Sequence, residues 1–555
     1  MIFLIEGEEK GRSPPDRGGG FGKEARDLDG LGSCFSRGGA SLFVLMKRWA
    51  RGDWDGFFAL GLDNLIMLLL MSSVCLGPLE FSPAFFFGQV LPANAVGLLI
   101  GNLFYARQAR RLAAREGRDD VCALPYGINL FTIIVFSFGV MMPARLEALQ
   151  EGASPEEAQR IAWHAGLIAC FVSGLIELGG AFFASWLRRW TPRAALLAAI
   201  AGIGLVFLGG LYFLRAFAYP ILGFATLGVT FAVYFGKVRF RGGLPAGLVI
   251  LLVGTGLAWS MRALGGAEGA VVPVGNWDLG HLRLHLPLPV FGELWEALAL
   301  APQFLPVALS MGFVSLIGSL MNLESAEAAG DVYDTRSSLV FNGLGSLGTA
   351  VFGSPYPTTI YIGHPGWKAL GARSEYSTMN AVFFAVILLT GSLSVVTYVV
   401  PIEAGMALLI WIGLTLLVQS FRAVPEAHVP AIAVGLLPAL GAFAYLMMFK
   451  TWSSLGFGPG GTPFPEDMGE RFLQQELFAE GVFALNAGYL YSSLILTAVV
   501  VAICDRNFRQ GALWAGVGGL LSLGGFMHGF TFGPMGYAEV LSPAWNWVVG
   551  YAVLA

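Results

Sequence analysis

Two short stretches decide the architecture: CALPYGIN at residues 122–129 and SPYPTTIYIGHPG at residues 354–366. Each opens an apolar run, yet each puts Pro, Gly and β-branched or aromatic residues where a helix crossing a bilayer should already be under way. Neither run is a regular helix from end to end. Irregular backbone at membrane depth is tolerated only where it is buried in protein or lines a cavity, so paired broken spans mark a substrate site. Beyond the extended pieces, Asn129 is placed to cap one half-helix and Pro365 to start the other. Both positive helix ends are then expected to face the midplane.

Outward from these stretches the chain reads as a polytopic membrane protein. Of its 555 residues 55% are hydrophobic and 13% charged, with a mean hydropathy of +0.67; an average soluble domain has about 25% charged residues. Net charge is −4, and no basic surface points to nucleic acid. Windows of about 20 residues place spans near 55–76, 84–105, 122–142, 161–187, 194–214, 217–236 and 244–264, then near 302–329, 338–353, 356–371, 377–400, 402–421, 429–449 and 484–504. That makes seven and seven, with the two broken spans third in each set. With the N-terminus cytoplasmic, 20 of the 33 Lys and Arg residues fall in inside loops and 7 in outside loops, as the positive-inside rule requires. Runs at 511–531 and 544–555 remain, the second too short to cross a bilayer of about 30 Å. Residues 1–45 are rich in Gly and charge and read as a disordered extension; Met46 reads as a natural cytoplasmic start.

The stretch NLESAEAAGDVYDTRSSLVFNGLGSLGTAVFGSPYPTTIYIGHPGWKALGARSEYS, residues 322–377, resembles the uracil, xanthine and purine permease family of nucleobase:cation symporters, in its hypoxanthine/guanine-permease-like branch. CALPYGIN and PIEAGMALLIWIGLTLLV, in the third and twelfth spans, extend the likeness over roughly residues 55–505. The resemblance implies an all-α polytopic fold of about fourteen spans in two inverted seven-span repeats, residues 46–264 and 265–505, with residues 506–555 as an extra hydrophobic segment. It implies a core domain of spans 1–4 and 8–11, a gate domain of spans 5–7 and 12–14, short antiparallel strands in spans 3 and 10, and coupling to H+ or Na+. Two family carboxylates are missing. Phe313 to Ser315 stand where span 8 normally carries one, and Gly363 and His364 stand where another follows the span-10 strand.

With those acids absent, other groups become candidates for holding a solute: Asp63 and Asn64 in span 1, Tyr126 and Gly127 in span 3, Ser315 and Glu324 in span 8, and Thr358, Thr359, Tyr361, Gly363 and His364 in span 10. Asp63, Glu324 and Glu177 are candidates for ion coupling, because an ionisable residue within a span is by default functional. Glu324, Glu327 and Asp331 share a helix face by spacing. His164, His281, His285, His428 and His528 show no ligand spacing, and Cys34, Cys75, Cys122, Cys170 and Cys504 no paired spacing, so neither a metal site nor a disulfide nor any cofactor is expected. No HExxH, GxSxG or Walker loop suggests an enzyme. The expected function is a permease of the inner membrane, N-terminus cytoplasmic. Its partners are a small-molecule solute, a coupling cation and lipid, with a homodimer compatible and no nucleic acid. A sulfate- or bicarbonate-type anion transporter of the same architecture and a non-transporting membrane sensor are the alternatives.

Overall fold

A computed structural model describes residues 50–128, 130–240, 244–266, 280, 282–458, 461–534 and 536–555, with the dipeptide Ile5–Glu6. Apart from that dipeptide, the expected disorder of residues 1–45 lies outside the described residues, as does the expected cap at Asn129. The protein is a multi-pass membrane protein, almost wholly helical. Its helices are α1 (Arg51–Leu76), α2 (Pro83–Glu116), α3 (Leu130–Phe136), α4 (Pro155–Gly180), α5 (Arg193–Ala218), α6 (Pro220–Tyr234) and α7 (Ala246–Ala263) in the first half. The second half holds α8 (Ala301–Ala328), α9 (Thr335–Val351), α10 (His364–Ala369), α11 (Glu375–Leu389), α12 (Met406–Arg422), α13 (Val429–Ser454) and α14 (Tyr489–Cys504). Each apolar window of the sequence falls on one of these. Among the described residues six helices are long and apolar enough to cross a bilayer unaided, or seven if Ala479–Asn486 and α14, bent by 89° to each other, count as one.

The third and tenth spans are strand followed by helix. β1 (Tyr126–Ile128) precedes α3, and β2 (Thr358–Ile360) precedes α10. They pair antiparallel, Tyr126 opposite Ile360, Gly127 opposite Thr359 and Ile128 opposite Thr358, all six residues buried. One strand comes from each half, so this ladder joins the two.

Neighbours repeat under exchange of the halves. α4 packs on α9 as α11 packs on α2, and α4 on α8 as α11 on α1. Likewise α5 meets α13 as α12 meets α6, and α6 meets α7 as α13 meets α14. A separate apolar cluster joins α5, α13 and α14 through residues such as Leu196, Ala439 and Leu494, with Met321 of α8 at its border.

The C-terminal stretch is helix α15 (Phe508–Leu523), a hairpin of β3 (Phe530–Gly533) with β4 (Gly536–Glu539), and helix α16 (Trp545–Leu554). At 1.5 Å per residue, the 16 and 10 residues of these helices reach only about 24 and 15 Å. They stack in turn on α14 and on each other.

Candidate functional site

A two-stranded ribbon has two open edges, and at membrane depth every unpaired backbone group costs free energy. Four asparagines close these edges. Ile360 N donates to Asn342 Oδ1 at 2.9 Å, and Ile360 O accepts from Asn322 Nδ2 at 3.0 Å. Across the ribbon, Tyr126 O accepts from Asn64 Nδ2 at 3.4 Å and from Asn102 Nδ2 at 3.3 Å, and Ile128 N donates to Asn64 Oδ1 at 3.4 Å. Asn64 and Asn322 lie on α1 and α8, Asn102 and Asn342 on α2 and α9, so both pairs occupy corresponding helices of the two halves.

Small residues bring the helices close enough for this. A Cβ on Gly127 would stand 2.2 Å from Asn64 Oδ1. The Tyr126 ring lodges between α2 and α9, where a Cβ on Gly101 would be 2.1 Å from the ring and one on Gly345 2.0 Å from the hydroxyl. That hydroxyl bonds Thr358 Oγ1 at 2.9 Å. Tyr126, Gly127, Asn64 and Thr358 thus frame the site from behind.

The opposite face of β2 looks into a cavity of about 60 Å³. Thr359, Ile360, Tyr361 and Ile362 form one wall and Met311, Ser315, Gly318 and Asn322 of α8 another, with Thr132 in the first turn of α3 and Met67 of α1. Ile203, Phe207, Leu208 and Tyr212 of α5 and Leu490 of α14 close it. The polar groups are the hydroxyls of Thr132, Ser315, Thr359, Tyr361 and Tyr212 and the amide of Asn322. Asn322 Oδ1 is buried and accepts no hydrogen bond.

Of the residues singled out from sequence, Ser315, Thr359 and Tyr361 line this cavity. Asp63, buried on α1, stands beside Tyr361 and near Tyr212, one side chain from the cavity. Glu177 of α4 lies behind β2: its Oε2 is 3.2 Å from Ser346 Oγ, which is also 2.8 Å from Thr358 O, while Oε1 meets no donor. Asn322, Thr132 and Tyr212 also line the cavity and were not singled out from sequence. Their only sequence signal is a polar group inside an apolar run.

Three expectations are corrected. His364 does not face the cavity: its Nε2 is 3.0 Å from Asp331 Oδ2 and its Nδ1 3.3 Å from Ala123 O. Gly363 does not make room for a ligand either. It holds φ +109°, and a Cβ there would meet the Trp367 ring at 1.8 Å, so a larger residue strains the fold rather than fills a binding space. Glu324 accepts from Arg188 at 2.8 Å and from Arg193 at 2.5 Å, with Glu327 in the same network, near the end of α8 and off the cavity wall. Asp331 lies past the end of that helix, apart from these two acids.

One metal-like grouping exists among the described residues, His164 with Glu293 and Glu296. Arg160 pairs with both glutamates, and His164 Nε2 lies 2.6 Å from Glu293, so the acids already have counter-charge.

No family model matches the chain. None of the curated proteins matches it. Among solved structures, the transmembrane domain of a cyanobacterium bicarbonate transporter, BicA, is similar over 67% of this chain and 89% of that one, at 15% identity and a TM-score of 0.38. A likeness of that degree leaves solute and coupling open, and both are read below from the site itself.

Proposed function

We propose that the chain is a secondary transporter of the inner membrane that carries nucleobases of the uracil, xanthine or purine type, or related heterocycles, by alternating access coupled to H+ or Na+. The supporting observation is the cavity wall: residues carrying five hydroxyls and the amide of Asn322, and no charged side chain among the lining residues. A neutral planar ring brings apolar faces to Met67, Ile203 and Phe207 and an N–H to Asn322. An inorganic anion brings a charge for which the wall offers no basic partner, and burying it unpaired is costly.

In this reading α1–α4 and α8–α11 form the core that holds the solute, and α5–α7 and α12–α14 form the gate. The cavity of about 60 Å³ is under half the roughly 150 Å³ that accommodates a benzene ring. Loading therefore needs α5 and α14 to draw away from α8 and β2.

Purified protein in liposomes is expected to take up labelled uracil, xanthine or hypoxanthine, and its transported base should stabilise it by about 2.7 kcal/mol at 100 times Kd. Uptake of bicarbonate or sulfate with none of the bases moved would sink the nucleobase reading.

A further inference from the structure

We infer that Asp63 is the proton-carrying carboxyl of this transporter, loaded and unloaded from the cavity side past Tyr361 and Tyr212. The inference deepens, and rests on, the transporter reading above. Asp63 lies midway along α1, is 1% exposed, and neither of its oxygens has a hydrogen bond of normal geometry, with the Tyr361 hydroxyl standing beside them. Its neighbour Asn64 is spent on the β1 edge. Met67, one turn further along α1, lines the cavity, as do Tyr361 and Tyr212.

The other strongly buried acids differ from it. Asp53 accepts backbone N–H groups from Ala50, Arg373 and Tyr376. Asp331 accepts from Arg118, Lys368, His364 and Cys122 N. Glu324 pairs with Arg188 and Arg193, Glu375 with Arg110, and Glu403 with Arg215. Glu177 keeps Ser346 on one oxygen. Asp63 alone of these has both oxygens open, and a charge left so deep without a partner is disfavoured unless it is exchanged.

The elements packed on α1 supply no fixed counter-ion. Tyr126 of β1 is bonded to Thr358, and Glu403, ahead of α12, is paired with Arg215 beyond Tyr212. His364 and Lys368 of α10 are held by Asp331. Arg262, Glu375 and Arg422 stand at the far ends of α7, α11 and α12. On α1 itself, Asp55 accepts from Gly247 N. A hard metal cation requires several oxygen ligands at once, whereas the side-chain hydroxyls placed by Asp63 among the described residues are those of Tyr361 and Tyr212. A proton needs only one oxygen. Loading converts the carboxylate and a hydronium ion into a carboxylic acid and water, and unloading on the other side reverses it, so one H+ crosses per cycle.

Infrared titration of the purified protein, with no solute added, should show a protonated-carboxyl C=O band that follows bulk pH, is insensitive to Na+, and disappears in Asp63→Asn. Tyr361→Phe, which removes one hydroxyl, should move the midpoint of that band without abolishing it, and serves if Asp63→Asn folds poorly. In liposomes, Asp63→Asn should lose at least tenfold in pH-gradient-driven uptake. A band that survives Asp63→Asn and vanishes in Glu177→Gln, a band displaced by Na+, or a Tyr361→Phe midpoint equal to wild type overturns the assignment. Failure of the nucleobase reading is separate: the band would titrate as stated while no base is transported.

Discussion

Asp331 is fully buried, yet it collects four donors from two segments, α10 and the loop between α2 and β1: Lys368 at 2.6 Å, Arg118 at 2.8 Å, and His364 and Cys122 N each at 3.0 Å. Burial alone would raise its proton affinity, but the hydrogen bond and charge of His364, then Lys368 and Cys122 N, hold the carboxyl well below the ordinary range. A depressed carboxylate adds stability above its unfolded value, about 3.9, and loses that contribution only as pH falls through the lower folded value. Asp331→Asn is thus expected to lose about 1–3 kcal/mol at neutral pH, because His364 and Cys122 N are left short of an acceptor while Arg118 and Lys368 keep Asp120. In thermal unfolding the gap to wild type should persist down to pH 5 and narrow only in stronger acid; a variant as stable as wild type at pH 7 would deny the anchor. At this scale the sequence was half legible. Polar letters in apolar runs marked Asp63, Asn64, Thr359 and Tyr361 as special, but whether an asparagine caps a strand edge or meets a solute depends on which way a helix is rotated. His364 was misplaced for the same reason, since its partner Asp331 is 33 residues away.

Broken elements were the most legible feature, because Pro and Gly density betrays a strand inside a membrane run without any tertiary knowledge. Register was not, for it depends on a partner strand 232 residues distant, as the bond of Tyr126 to Thr358 illustrates. The acidic end of α8 was visible too, yet its partners, Arg188 on the short helix Ala184–Trp190 and Arg193 at the start of α5, were not. These pairs join α8 to the start of α5 and to the short helix before it. Glu324→Arg and Arg193→Glu should each lower the melting temperature, and the double swap should recover part of the loss, with a coupling of about 0.5–3 kcal/mol. Additive losses would mean that the pair joins nothing.

Across the whole molecule, the count of apolar runs and the bias of Lys and Arg predict a cytoplasmic N-terminus. Cysteine placed at Ala153 should react with an impermeant reagent added outside intact cells and cysteine at Ala113 should not; the reverse pattern would invert the topology. The last fifty residues resisted reading because α15 and α16 are apolar by composition and too short to cross by length, so only packing decides where they lie. The ribbon between the halves has a further consequence. Each strand is three residues long and finds its only strand partner in the other half. A polypeptide carrying one half would expose that edge to hydrocarbon, which lipid does not tolerate. The two halves are therefore expected to insert and fold only together.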